Sequence, residues 1–286
     1  MKTACIMEGG GMRGLFTAGI VDVFLENKVT FDGAAGLSAG ICFGCNLKSE
    51  QIGRALRYNK RFCGDRRYAS LYSLLTTGDL FNVDFCYHQI PDVLDVFDRE
   101  TFRKNPMEIW AGATDVQNGK SVYHRCTDGG AEDIEWMRAS ASMPLVSRVV
   151  RLDGMELLDG GIMEAVPLHF MEEQGYDRNI VILTQPLGYV KKKNELMPLI
   201  RLMLRKYPKL VEAMATRHER YNRQTEEIER REKAGELLVL RPPEALGISR
   251  TEKNPDELER VYRIGRSEAE RRLTEIRNFL TKSKTD

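Results

Sequence analysis

Gly36-Leu37-Ser38-Ala39-Gly40 is the stretch on which the reading of this chain turns. The short run Phe31-Asp32-Gly33-Ala34-Ala35 leads into it, and Ile41-Cys42-Phe43 leads out. A serine flanked two residues away on each side by glycine is the G-x-S-x-G elbow. There a strand turns sharply into a helix and lifts the hydroxyl out of strained backbone. Side chains at Gly36 and Gly40 would clash in so tight a turn. A second glycine stretch, Gly9-Gly10-Gly11-Met12-Arg13-Gly14, follows the first apolar run and offers the backbone donors such a serine needs.

Outward from the elbow, the pattern alternates strands and helices. Strands are predicted over 3–7, 33–37, 107–114, 121–124, 149–152, 156–158, 179–183 and 236–240. Asn118-Gly119 and Asp153-Gly154 mark hairpin turns. Helices are predicted over 15–27, 41–47, 51–62 and 131–140, and short helices joined by turns over 68–105. After Pro186 the chain becomes charged and helix-rich, over 196–233 and 255–280. Strands interleaved with helices predict an α/β core with helical decoration at the C-terminal end.

A chain of 286 residues can bury a large core, and 42% apolar with 30% charged residues is ordinary for a globular protein. A net charge of +1 gives no global pull toward nucleic acid, and no nucleic-acid partner is predicted. The six cysteines are scattered, which predicts reduced thiols in a cytoplasmic protein rather than a disulfide scaffold. No apolar leader and no membrane-spanning run stands out, so a soluble or peripheral protein is predicted.

An alcohol nucleophile needs exposure, a base, and donors for the oxyanion that forms on attack. His88, His124, His169 and His218 lie in no recognisable catalytic pattern. A carboxylate within about 3 Å can serve instead. Asp128-Gly129-Gly130 follows a polar stretch and reads as a surface loop. Asp159-Gly160-Gly161 leaves an apolar strand into glycines, as a base at a sheet edge would, and Asp159 is preferred.

The glycine loop, the elbow and Asp159-Gly160-Gly161 occur in the order and context of the patatin-like phospholipases, which the first two-thirds of this chain resembles. The stretch Arg138-Ala139-Ser140-Ala141-Ser142-Met143-Pro144 is similar to that family's A-S-x-x-x-P block. Glu8 departs mildly from the Asp that plant relatives often carry there. The resemblance implies a three-layer fold, its mostly parallel central sheet flanked by helices. It implies a catalytic core at 1–187, and the charged run beyond it, outside the resemblance, predicts a helix-rich extension at 188–286 packed on that core. It also implies a Ser–Asp dyad hydrolase of lipid acyl esters needing no metal or cofactor. Ser38 would be the nucleophile and Asp159 the base, with Gly36 and Gly40 shaping the elbow and Gly160 and Gly161 following the base. The loop Gly9–Gly14 would form the oxyanion hole, through the amides of Gly10, Gly11, Met12 and Arg13.

Other readings stay open. Gly9-x-Gly11-x-x-Gly14 after a strand also fits a dinucleotide fingerprint, with Asp32 near the place of the ribose-binding acid. A non-catalytic lipid-binding module that keeps the pocket is a third possibility. Arg13 either steadies developing charge or a phospholipid headgroup, or shapes the loop through a salt bridge. Cys42 and Cys45 form a C-x-x-C that reads as two packed small hydrophobes. Residues 189–210 read as a basic amphipathic helix suited either to the core or to peripheral contact at the inner membrane face.

Overall fold

Ala4, Cys5, Ile6 and Met7 are buried without alternation, so the first strand must be covered on both faces. The computed structural model describes residues 1–281. Its single sheet contains β1 (Lys2–Met7), β2 (Gly33–Leu37), β3 (Glu108–Asp115), β4 (Lys120–Cys126), β5 (Val150–Leu152), β6 (Met155–Asp159), β7 (Tyr176–Ile182) and β8 (Leu237–Leu240). β3, β2, β1, β7 and β8 are mutually parallel neighbours in that order. β4 and β6 both run antiparallel to β3, and β5 pairs antiparallel with β6.

The helices are α1 (Leu15–Glu26), α2 (Ala39–Ser49), α3 (Arg54–Phe62), α4 (Leu71–Thr77), α5 (Arg99–Lys104), α6 (Ala131–Ala141), α7 (Leu168–Glu173), α8 (Met197–Met203), α9 (Pro208–Lys233), α10 (Pro255–Arg271) and α11 (Leu273–Thr281). Strand periodicity sorts them into two layers. Cys5, Met7, Ala34, Ile180 and Ile182 point into a core formed with α1, α2, α3, α6 and α10. Ala4, Ile6, Ala35 and Val181 point the other way, toward Leu168 and Met171 of α7 and Ile228 of α9. The expected three-layer α/β arrangement is therefore present.

Several expectations are corrected. Residues 189–210, expected as one amphipathic helix, are not one. Pro208 lacks an N–H and constrains the preceding Tyr207, whose ψ of 72 is not helical. Only α8 is helical before that break. Within 68–105, residues Phe85–Leu94 form a wide π-helical segment containing Pro91. The helix expected from residue 51 starts at Arg54, after Gly53 takes a left-handed φ of 73. The short helix α7 was not anticipated.

The C-terminal segment is built into the fold. β8 extends the sheet through Asn179↔Leu237 to Ile182↔Leu240. α10 lies directly on α1 because both present glycine at the crossing. A Cβ on Gly265 would stand 2.0 Å from the Phe16 carbonyl oxygen, and one on Gly19 would stand 2.2 Å from that of Tyr262. Among the described residues no helix is long and apolar enough to cross a membrane. Gly265→Ala should force these helices apart and lower the unfolding free energy by about 1–3 kcal/mol. Urea denaturation reads this directly, and an unchanged midpoint would contradict the close crossing.

Candidate active site

β3 has two edges. β4 covers one along Ile109 to Asp115, and β2 and β6 share the other, end to end. β2 arrives parallel and stops with Leu37 opposite Gly112, whereas β6 arrives antiparallel and stops with Asp159 opposite Ala113. Chains from opposite directions thus end at adjacent register positions. The residue after β2 is Ser38, which lines the same cleft as Asp159 and whose side chain is close enough to lower the pKa of the Asp159 carboxyl.

Ser38 has φ 54 and ψ −126, a left-handed φ that a non-glycine residue rarely adopts. Its strain is held by specific bonds. The Ser38 N–H donates to Ser140 Oγ at 2.8 Å, and that hydroxyl donates to the Gly112 carbonyl at 2.5 Å. The Asp159 N–H donates to the Ser142 carbonyl at 2.8 Å, and Thr114 Oγ1 donates to the Asp159 carbonyl at 2.9 Å. The serines of the 138–144 stretch therefore fix both ends of the pair, a role the sequence reading missed.

Asp159 is only 7% exposed. Burial pushes its carboxyl above the ordinary carboxylate pKa. The Ser38 side chain, the positive charge of Arg217 and the Gly161 amide, 2.8 Å from Oδ1, pull it back. Arg217, on α9, donates through Nε to the Gly161 carbonyl at 2.5 Å.

The glycine loop lies against the elbow, where a Cβ on Gly9 would stand 2.9 Å from both Leu37 O and Ser38 Cβ. Gly11–Gly14 form a single 3-10 turn. The Met12 amide donates to the Arg250 carbonyl at 3.3 Å and the Arg13 amide to the Gly10 carbonyl at 3.3 Å. Those two amides are committed elsewhere, which narrows the expected donor set. Among the described residues the Gly10 and Gly11 amides have no acceptor. Arg13 makes no ion pair there; its Nε reaches Thr184 Oγ1 at 3.5 Å.

Two cavities meet at Ser38. One is apolar, walled by Phe43, Tyr58, Phe81, Ile90, Phe97 and Met137. The segment from Tyr68 to Phe97 thus forms one of its walls. The other, an open cleft, holds Asp159, Arg13, Lys191, Arg217, His218 and Arg250. His218 Nδ1 is buried there without a partner among the described residues.

The remaining candidates lie elsewhere. Asp128 is exposed and bonds the Gly130 amide at 2.7 Å, as a turn residue does. Asp32 precedes β2 and accepts from the Thr3 amide and hydroxyl at 2.8 and 2.9 Å. It therefore sits at the opposite end of the parallel strands from the glycine loop, where it cannot bind a ribose held on that loop. Burial pushes the Cys42 thiol up and the Cys45 thiol up to about 11, so neither is a reactive thiolate. His124, Cys126 and Asp133 place ligand atoms within 4.8 Å of one another. Asp133, however, already accepts from the Thr127, Asp128 and Gly129 amides, as a loop cap does.

Sequence comparison adds family context. The profile described as patatin-like phospholipase matches residues 6–171. A second, described as a domain of unknown function (DUF6363), matches residues 207–281. The uncharacterized protein YjjU of Escherichia coli is 30% identical over 203 residues, covering 65% of this chain and 52% of that protein. Lysophospholipase NTE1 of Pyricularia oryzae is 25% identical over 185 residues, covering 60% of this chain and 11% of that protein. The chain thus spans about half the length of the first and about a tenth of the second. VipD of Legionella pneumophila superposes with a TM-score of 0.48 at 12% identity, covering 96% of this chain and 67% of that one.

Arg217 favours the ionised form of Asp159, so Arg217→Gln should raise the Asp159 pKa further. Carbon-13 NMR titration of the aspartate carboxyls should show its midpoint move upward. A downward or absent shift would contradict the assigned environment.

Proposed function

Because this chain belongs to the patatin-like phospholipase family, we propose that it hydrolyses acyl esters of lipids, with Ser38 as nucleophile and Asp159 as base. The observation that carries this is that Ser38 and Asp159, brought together by strands ending at adjacent register positions, line one cleft where two cavities meet. Asp159 takes the hydroxyl proton as Ser38 attacks the ester carbonyl. The Gly10 and Gly11 amides receive the negative charge that develops on the carbonyl oxygen. The proton passes to the departing alcohol, and water then releases the acyl group from Ser38. Burial raises the affinity of Asp159 for that proton, which suits a carboxylate asked to deprotonate an alcohol. The acyl chain occupies the apolar cavity.

The mouth of the cleft suits a lipid surface. Leu196, Leu199, Leu202 and Met203 are all exposed, and Leu196 lines the cleft with Lys192 and Lys193. An apolar patch with basic neighbours supports peripheral contact of 189–210 with an anionic membrane face. A dinucleotide reading finds no support in the placement of Asp32. A binding module without catalysis would not need the strained elbow or the buried carboxylate.

Ser38→Ala should abolish hydrolysis of a p-nitrophenyl ester, and Asp159→Asn should reduce it by about 10³–10⁴-fold. Asp128→Asn should stay close to wild type, and the reverse ranking of the aspartates would overturn the assignment. In vesicle co-sedimentation the protein should favour phosphatidylglycerol over phosphatidylcholine, and replacing Leu199 and Leu202 by Glu should weaken binding. Equal sedimentation of wild type and variant would remove 189–210 from the lipid contact.

A further inference from the structure

Charge does not balance in the cleft beside Ser38. Four cations, Arg13, Lys191, Arg217 and Arg250, line it with the exposed Lys192 and Lys193, against two buried carboxylates, Glu8 and Asp159, and the exposed Glu195, an excess of three positive charges. Both buried carboxylates are engaged. Glu8 Oε2 accepts from the Thr184 amide at 2.5 Å and its hydroxyl at 3.1 Å, and Oε1 accepts from the Tyr221 hydroxyl at 2.9 Å. Asp159 accepts from the Gly161 amide and faces Ser38.

Among the described residues none of the four cations forms an ion pair. Arg217 reaches a carbonyl and Arg13 a hydroxyl. The Lys191 ammonium stands 4.3 Å from the centre of the Tyr221 ring. Its backbone is pinned on both sides by Asn222 of α9, through bonds of 2.8 and 3.1 Å, so the lysine is held in place. Burial, and then the Arg217 charge, bring its pKa down to about 8. Lys191 and Arg217 are partly buried cations that outnumber their counter-charges, which is costly, and an anion in the cleft, where Arg250 lies exposed, would relieve them together.

The apolar cavity and the cationic cleft share Gly11, Ser38, Met143 and Arg250. A molecule with an acyl chain in the first and an anion in the second therefore lays its ester bond across Ser38. A phosphomonoester carries about −1.5 to −2 at neutral pH, which the excess accommodates. Two guanidinium groups and an ammonium supply donors for its oxygens.

We propose that Lys191, Arg217 and Arg250 form a headgroup clamp that selects single-chain acyl lipids bearing a phosphate of net negative charge. The substrate class rests on the hydrolase reading of the same site. All three clamp residues lie beyond the 6–171 stretch of the family profile, and Arg217 and Arg250 fall within the 207–281 stretch. Selectivity is thus assigned to the C-terminal segment and ester cleavage to the core.

The test is equilibrium binding of short-chain ether-linked lipids, which cannot be cleaved, to the full chain. The phosphate monoester form should bind about tenfold more tightly than the phosphocholine form. Lys191→Gln and Arg250→Gln should each erode that ratio, and Lys191→Arg should restore it. Binding of the phosphocholine lipid by the variants shows that the apolar cavity is intact. Equal affinity for the two lipids, or a ratio indifferent to both substitutions, would overturn the clamp. Competition by inorganic phosphate at the same concentration as the lipid would instead assign the cleft to free phosphate and overturn a lipid headgroup site. Because no turnover is required, selective binding by a protein inert at Ser38 would refute the hydrolase reading and support the clamp.

Discussion

The site depends on β3 offering one edge to two strands that reach it from opposite directions. Ser38 and Asp159 are far apart in sequence, and neither is placed by its own helix or loop alone. Register places them: Leu37 stops at Gly112 and Asp159 stops at Ala113. A slip of one residue in either pairing would turn the side chain to the opposite face of the sheet. Small residues guard the junction, since a Cβ on Gly160 would stand 2.4 Å from the Gly112 carbonyl oxygen. Ser140 then bonds the Ser38 amide to that same carbonyl, so strand and elbow share one anchor.

That arrangement sets two costs against each other. Burial makes Asp159 a stronger proton acceptor but opposes its ionisation, and Arg217 offsets part of that opposition. Arg217 comes from α9, the carbonyl that engages the Met12 amide comes from Arg250, and β8 completes the sheet. A division at 187/188 separates chain segments, but the site draws on both. What looked like helical decoration supplies charge, a sheet edge and a brace for the glycine loop.

The sequence was legible where a constraint is local. The elbow, the glycine loop and the Asp-Gly-Gly turn announce themselves because tight backbone leaves few permitted residues. The alternation of strands and helices was equally plain, including the buried run at β7. Long-range facts were not. Nothing near Met12 reveals that its amide is taken by Arg250, and nothing near Lys191 reveals a ring of cations. Residues 189–210 misled because apolar and basic residues were read as one periodic face, while Pro208 set the helix boundary. Ser140 and Ser142 were noticed as a pattern, but their hydrogen bonds needed coordinates.

The central claim is that one serine is primed by one buried carboxylate beside two waiting amides. Reacting the protein with a fluorophosphonate and solving the adduct's structure addresses it most directly. The account predicts a single covalent bond at Ser38 Oγ, with a phosphonyl oxygen facing the Gly10 and Gly11 amides. An unreacted Ser38, or an adduct on a different residue, would contradict it.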